Sequence, residues 1–155
     1  MKNIGMMILA ALLSTGAAHA DGFICKSADG LNVKVFNKTD AAEGTRNGAI
    51  MVLSDANISS GSKTIATFPA DNTLLSQVGA SYNAHVDLRY VESSRKGELI
   101  GGTKLGQLRD IALDVDFNYG QPVPAGKKLA AELTLMKRNG AEIAIEMTCK
   151  RYLKN

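Results

Sequence analysis

Few side chains in this sequence are placed to do chemistry, and most of those fall on stretches with a period of two. Asp110, Asp114 and Asp116 lie close together in sequence, and the last two share one face of an extended segment. Paired carboxylates can serve as acid and base in sugar hydrolysis. The same alternation that aligns them turns them to solvent, because Ile111, Leu113, Val115, Phe117 and Tyr119 occupy the other face. His85 stands two residues from Asp87 on another alternating segment. Such a pair can bind a metal or relay a proton. One histidine without cysteine ligands completes no standard zinc site, so a solvated outer face is the expectation. Nucleophile motifs are missing: there is no Gly-x-Ser-x-Gly. Ser60-Gly61-Ser62-Lys63 matches Ser-x-x-Lys as a string, but in a turn before a strand. Gly101-Gly102-Thr103-Lys104 lacks the leading glycine of a phosphate loop, and no helical pattern follows it, so it reads as a glycine-rich turn or bulge. Catalytic, metal and cofactor residues are therefore assigned to no position.

Cys25 and Cys149 are the only cysteines. Their chemistry depends on the compartment, and residues 1–20 point to export. Lys2 supplies a positive start, Ile4 to Leu13 form a short apolar run, and Ala18-His19-Ala20 has small residues at the positions a signal peptidase needs. The run is too short for a membrane span. The expectation is a signal peptide cleaved after Ala20, followed by a single domain over residues 21–155 with no transmembrane helix, periplasmic or secreted. In an oxidising compartment an even cysteine count suggests a disulfide. No Cys-x-x-Cys supports a redox pair or metal site instead. The bridge would join the first and last strands.

The element that organises the fold is the last hairpin, Lys128 to Tyr152. Leu129, Ala131, Leu133 and Leu135 share one face, and Ile143, Ile145, Met147 and Cys149 share one face of the return strand. Asn139-Gly140 normally signals a two-residue turn. That turn would put Leu133 opposite Glu146 and separate the two apolar faces. Burial decides the register. A three-residue loop, Arg138-Asn139-Gly140, pairs Leu133 with Ile145 and Leu129 with Cys149, with Gly140 left-handed in a bulge. It also sets Glu132 opposite Glu146, two carboxylates that could mark a cation site and are more simply two solvated acids.

Earlier in the chain, short strands are expected at Phe23–Ser27, Leu31–Phe36, Ala49–Leu53 and Lys63–Phe68, with turns at Ala28–Gly30, Asp55–Asn57 and Ser59–Gly61. Leu74–Val78 is ambiguous between strand and helical turn. Tyr82–Tyr90 and Asp110–Tyr119 alternate over long stretches. About eight or nine strands with frequent turn signals and no helical period indicate an all-β domain, an antiparallel β-sandwich or β-barrel. The polar segments Asn37 to Asn47 and Ser93 to Gly106 are the candidate binding loops.

Charge is nearly balanced: 18 basic against 15 acidic side chains, with Lys2 the one basic residue before Asp21. That excludes a strong nucleic-acid partner. Lys150, Arg151 and Lys154 form the one basic cluster, read as a solvated tail rather than a phosphate-binding patch. An outer-membrane barrel shares the alternating pattern, but the chain has four Tyr, four Phe and no Trp to form interface girdles.

Gly44-Thr45-Arg46-Asn47, the segment Gly97 to Gly106, and the ending Cys149-Lys150-Arg151-Tyr152-Leu153-Lys154-Asn155 resemble segments of small exported all-β proteins of predatory bacteria, of unknown function. The likeness extends over most of residues 21–155. It implies export and a β fold and brings no functional residue. The expected function is an exported, non-enzymatic binding protein for an unidentified protein or small-molecule ligand. The alternatives are a small hydrolase using the Asp110, Asp114 and Asp116 carboxylates, or a small outer-membrane barrel.

Overall fold

The computed structural model describes residues 21–37, 44–46, 49–68, 73–78, 81–87, 96–116 and 126–153. The strands are β1 (Asp21–Lys26), β2 (Leu31–Asn37), β3 (Gly44–Arg46), β4 (Ala49–Ser60), β5 (Lys63–Phe68) and β6 (Thr73–Val78). They continue with β7 (Ser81–Asp87), β8 (Leu99–Ile100), β9 (Thr103–Lys104), β10 (Leu108–Asp116), β11 (Lys128–Lys137) and β12 (Glu142–Leu153). A single 3-10 turn, Leu105–Gln107, lies between β9 and β10, and no α-helix occurs among the described residues.

Hydrogen-bonded neighbours lead from β2 through β1, β12, β11, β10, β7 and β6 to β4, and β4 pairs back onto β2. Every pairing is antiparallel. The ladder is thus a closed ring, which leaves no long edge along that circuit. The long strand β4 closes it. Ile50 to Leu53 pair with β6, while Ser54 to Ser60 pair with β2. β3 and β5 take up the remaining edges of β4.

The length of β4 corrects the expectation of a turn at Asp55–Asn57. The chain stays extended there because Ala56 and Ile58 are buried opposite Val35 and Val33, while Asp55 and Asn57 are only half-buried. Turn-forming residue types lie on the wetter face of a strand. Leu74–Val78 resolves as strand within β6, whose ladders to β4 and β7 supply its backbone partners. The first strand starts at Asp21 and ends at Lys26. Within the Asn37 to Asn47 segment Gly44–Arg46 form β3; residues 38–43 and 47 lie outside the described residues, as do the ends of the two long alternating segments, 88–90 and 117–119. Residues 1–20 also lie outside them.

The core is the inward face of the ring. One cross-strand row runs Ala66, Ile58, Val33, Cys25, Cys149, Leu129, and all six are buried. The next rows on β10 and β11 pair Leu113 with Leu133 and Ile111 with Leu135, again buried. The last hairpin has the register that burial demands: Leu133 faces Ile145, Leu135 faces Ile143, and Glu132 faces Glu146. Gly140 has φ 88°, and Lys137 donates its amide to Ala141 O at 2.8 Å. The outward face of the same wall is polar, with Lys128, Glu132, Glu146, Thr148 and Lys150 all exposed.

One end of the ring is covered by the β8–β9 hairpin. Gly101 and Gly102 form its two-residue turn, both with positive φ, as a type I′ turn requires. Ile100, Thr103 and Leu105 are buried beneath it. A side chain at Gly101 would meet Ile145 Cδ1 at 2.6 Å, so the turn rests on the rim of β12. Lys63 Nζ reaches Glu98 Oε2 at 2.8 Å. On the opposite side, Arg138 donates its amide to Gln107 O and its Nε to Gly106 O, at 2.9 and 3.2 Å.

Cys25 and Cys149 are disulfide-bonded, with Cα atoms 3.9 Å apart and 124 residues of separation. They are direct partners in the β1–β12 ladder, so the bridge staples the seam between the first and last strands. Closing a loop of that length contributes on the order of 4–5 kcal/mol in the chain-entropy model. Reduction should lower the melting temperature and speed amide exchange first in residues 21–27, as followed by hydrogen-exchange mass spectrometry; unchanged exchange there would refute the stapled seam.

Two glycines give a contrasting pair of tests. A Cβ at Gly22 would lie 1.9 Å from Val35 O, so Gly22→Ala must part β1 from β2 and should cost roughly 1–3 kcal/mol as overpacking does. At Gly140 a Cβ would meet nothing within 4 Å, so Gly140→Val is penalised through its backbone alone, by about 1–2 kcal/mol. Urea denaturation measures both, and a neutral Gly22→Ala would contradict the close β1–β2 approach.

Candidate ligand-binding groove

The residues first suspected of chemistry are not assembled into a site. Asp114 stands opposite Glu132, which stands opposite Glu146, so three acids follow one another across β10, β11 and β12. Glu132 accepts a hydrogen bond from Thr134 Oγ1 at 3.2 Å. Asp110 is paired with Arg109, Nε to Oδ2 at 2.8 Å, and Asp116 is exposed at the end of β10. In the ladder His85 is the partner of Ala112, and Asp87 of Asp110; the side chains of β7 lie outside the described residues. Among the described residues no three His, Cys, Asp or Glu side chains are grouped to hold a metal ion. Lys63 of the Ser-x-x-Lys string is engaged with Glu98. Of the two candidate loops, residues 96–106 pack as the cover of the ring rather than as a free loop, because Ile100, Thr103 and Leu105 anchor it.

A concave feature lies on the outer wall, where β1 meets β12 and β12 meets β11. A groove of about 690 Å³ is lined by Ile24, Lys26, Ser27, Ala28, Gly126, Lys128, Thr148, Lys150 and Arg151. A neighbouring concavity of about 660 Å³ shares Lys26, Ala28, Lys128 and Thr148 and runs on to Glu146. The ladder registers put the cations there. Because Cys25 faces Cys149, Lys26 faces Thr148. Because Leu129 faces Cys149, Lys128 directly faces Lys150.

The wall of the groove is built by local structure. The β1–β2 turn is held by Ser27, whose Oγ donates to Asp29 Oδ1 and accepts from the Leu31 amide at 3.0 Å. Gly30, with φ 90°, completes that turn. On the far side Gly126, also with positive φ, leads into β11. Arg151 is half-buried, and its register partner is the buried Phe23.

Lysines directly opposite one another in an antiparallel ladder destabilise it. Among the described residues no carboxylate pairs with Lys26, Lys128 or Lys150; the described ion pairs are Lys63–Glu98 and Arg109–Asp110. The groove therefore offers three ammonium groups and the Thr148 hydroxyl beside a small apolar floor of Ile24 and Ala28. That set can bind an anion.

Sequence reasoning singled out Lys150 and Arg151 only as part of a tail. The signal for the groove was present, since the hairpin register that pairs Leu129 with Cys149 also pairs Lys128 with Lys150. Lys26 required the β1–β12 register, which the cysteine pair supplies. Comparison with known proteins adds no function: no family model, no curated protein and no solved structure matches the chain.

If the lysine pair costs stability, Lys128→Glu should relieve it by setting an acid opposite Lys150. The expected gain is up to about 1 kcal/mol at low salt, fading as salt screens it. Urea denaturation at two ionic strengths checks this, and a loss of stability in Lys128→Glu would show that the two lysines do not face each other.

Proposed function

We propose that this protein is an exported, non-enzymatic binding module in which a disulfide-stapled barrel holds a ligand groove on its outer wall. The observation that carries the reading is the groove itself, a concave, cation-lined surface on rigid strands. Export is supported by the signal-peptide features of residues 1–20 and by the Cys25–Cys149 bridge, which is consistent with an oxidising compartment.

The binding surface differs from the loops expected at first. Residues 96–106 are committed to covering the ring, and most of the Asn37 to Asn47 segment lies outside the described residues. Against a membrane-spanning barrel stands the distribution of polarity. Such barrels are apolar outside and polar within, whereas here the described inner face is apolar and the β11–β12 outer face carries Lys128, Glu132, Glu146 and Lys150.

Purified protein should retain members of a panel of neutral and anionic small molecules and glycans without turning them over. Turnover of an ester or polysaccharide, abolished by Asp114→Asn or Asp116→Asn, would replace this reading with the hydrolase one.

A further inference from the structure

We propose that the groove is a phosphate site: Lys26, Lys128 and Lys150 receive a phosphoryl group, and the ester's organic part lies on Ile24 and Ala28. This inference rests on the binding-module reading and names the ligand class for that groove.

The placement of charge carries it. Lys128 and Lys150 face each other across β11 and β12, and Lys26 lies on the neighbouring strand opposite Thr148, two residues from Lys150. Side chains directly across a ladder have Cβ atoms about 5 Å apart, and diagonal neighbours about 7–8 Å apart. Three long ammonium side chains so spaced can converge on one small anion. Their mutual repulsion is unrelieved by any described carboxylate and is removed when a multiply charged anion sits among them.

The donor type fits the class. Lysines bind phosphoryl groups as compact point charges, and the half-buried Arg151, which also lines the groove, carries a guanidinium of the kind that pairs with phosphate oxygens. Thr148, between the cations on β12, adds a hydroxyl able to donate to a phosphoryl oxygen. The anion's position along the wall is also set. Glu146 borders the adjoining concavity, four residues and so about 13 Å along β12 from Lys150. Glu132 and Asp114 continue that acidic row. A phosphoryl group is thus drawn to the Lys128–Lys150 end and repelled from the Glu146 end. The organic part of the ligand has Ile24, half-buried in the wall, and Ala28 beside the cations.

A phosphate monoester free in solution and a phospholipid headgroup share this chemistry. Calorimetry with inorganic pyrophosphate and with glycerol phosphate tests the first source. Co-sedimentation with phosphatidylcholine vesicles, with and without phosphatidylglycerol, tests the second. Binding should weaken by about tenfold or more, over 1.4 kcal/mol, in Lys128→Gln and in Lys150→Gln, and should weaken with added salt. Lys104→Gln, on the cover hairpin, should bind as wild type does. Wild-type protein provides a readout independent of variant folding: pyrophosphate should protect Lys26, Lys128 and Lys150 from acylation by an N-hydroxysuccinimide ester, scored by mass spectrometry against Lys104. Loss of vesicle binding in the same two variants would assign the lipid source, and binding of the soluble esters alone would assign the free one. Failure of pyrophosphate, glycerol phosphate and vesicles alike to bind, or equal acylation of all four lysines, would overturn the phosphate site. Retention of a neutral glycan in that case would leave the binding module standing, whereas turnover requiring Asp114 would remove the module and leave the phosphate result to be judged by the lysine variants.

Discussion

The seam between β1 and β12 is the constraint on which the rest of the molecule depends. A meander of antiparallel strands that does not close leaves two edges with unpaired backbone groups. Here the first and last strands satisfy each other over six residue pairs, Asp21 with Leu153 through Lys26 with Thr148. Terminal segments fray unless they are tied down. Cys25 and Cys149 tie this one from inside, at the centre of a buried cross-strand row. The covalent link and the apolar row enforce the same register, so a slip of one residue is opposed twice.

That register reaches beyond the core. Because the side-chain period is two, fixing Cys25 against Cys149 on the inner face also fixes which residues meet outside. Lys26 meets Thr148, and on the next ladder Lys128 meets Lys150. The cationic groove is the outer side of the same pairing that builds the disulfide seam. Natural sheets place opposite charges across a ladder where stability alone is served. The opposed lysines are a local departure from that rule, and such departures concentrate at functional sites.

Much of this was legible from residue types alone. Alternation marked β10, β11 and β12, and burial chose the three-residue loop of the last hairpin over the turn that Asn139-Gly140 suggests. The terminal cysteines marked the closure. What stayed hidden had tertiary causes. Asp55, Ala56 and Asn57 carry turn-forming types, yet Ala56 is 2% exposed because β2 and β5 flank it on both edges. The Gly101-Gly102 turn could be read locally, but not its seat on Ile145, a residue of β12 more than forty positions along the chain. The groove escaped because its three lysines are scattered over three strands, and no local pattern gathers them.

An eight-stranded ring has an interior about wide enough to be filled by side chains or to hold one small ligand. The described inner face is apolar. Phe23, Phe68, Ile58, Leu113, Leu133 and Leu135 are all buried to within 2% of complete, and the β8–β9 hairpin lies over one end with Ile100 fully buried beneath it. The rim near β8 and β9 is occupied by the covering hairpin and its tethers to Lys63 and Arg138. At the wall of β1, β12 and β11 a concave surface coincides with three lysines that have no carboxylate partner among the described residues. It lies directly behind the disulfide row, so the ladder that the bridge holds in register also holds the spacing of the lysines. A ligand bound there would meet donors positioned by the stiffest part of the ring, and the entropy lost in ordering them falls mainly on the lysine side chains rather than on the backbone.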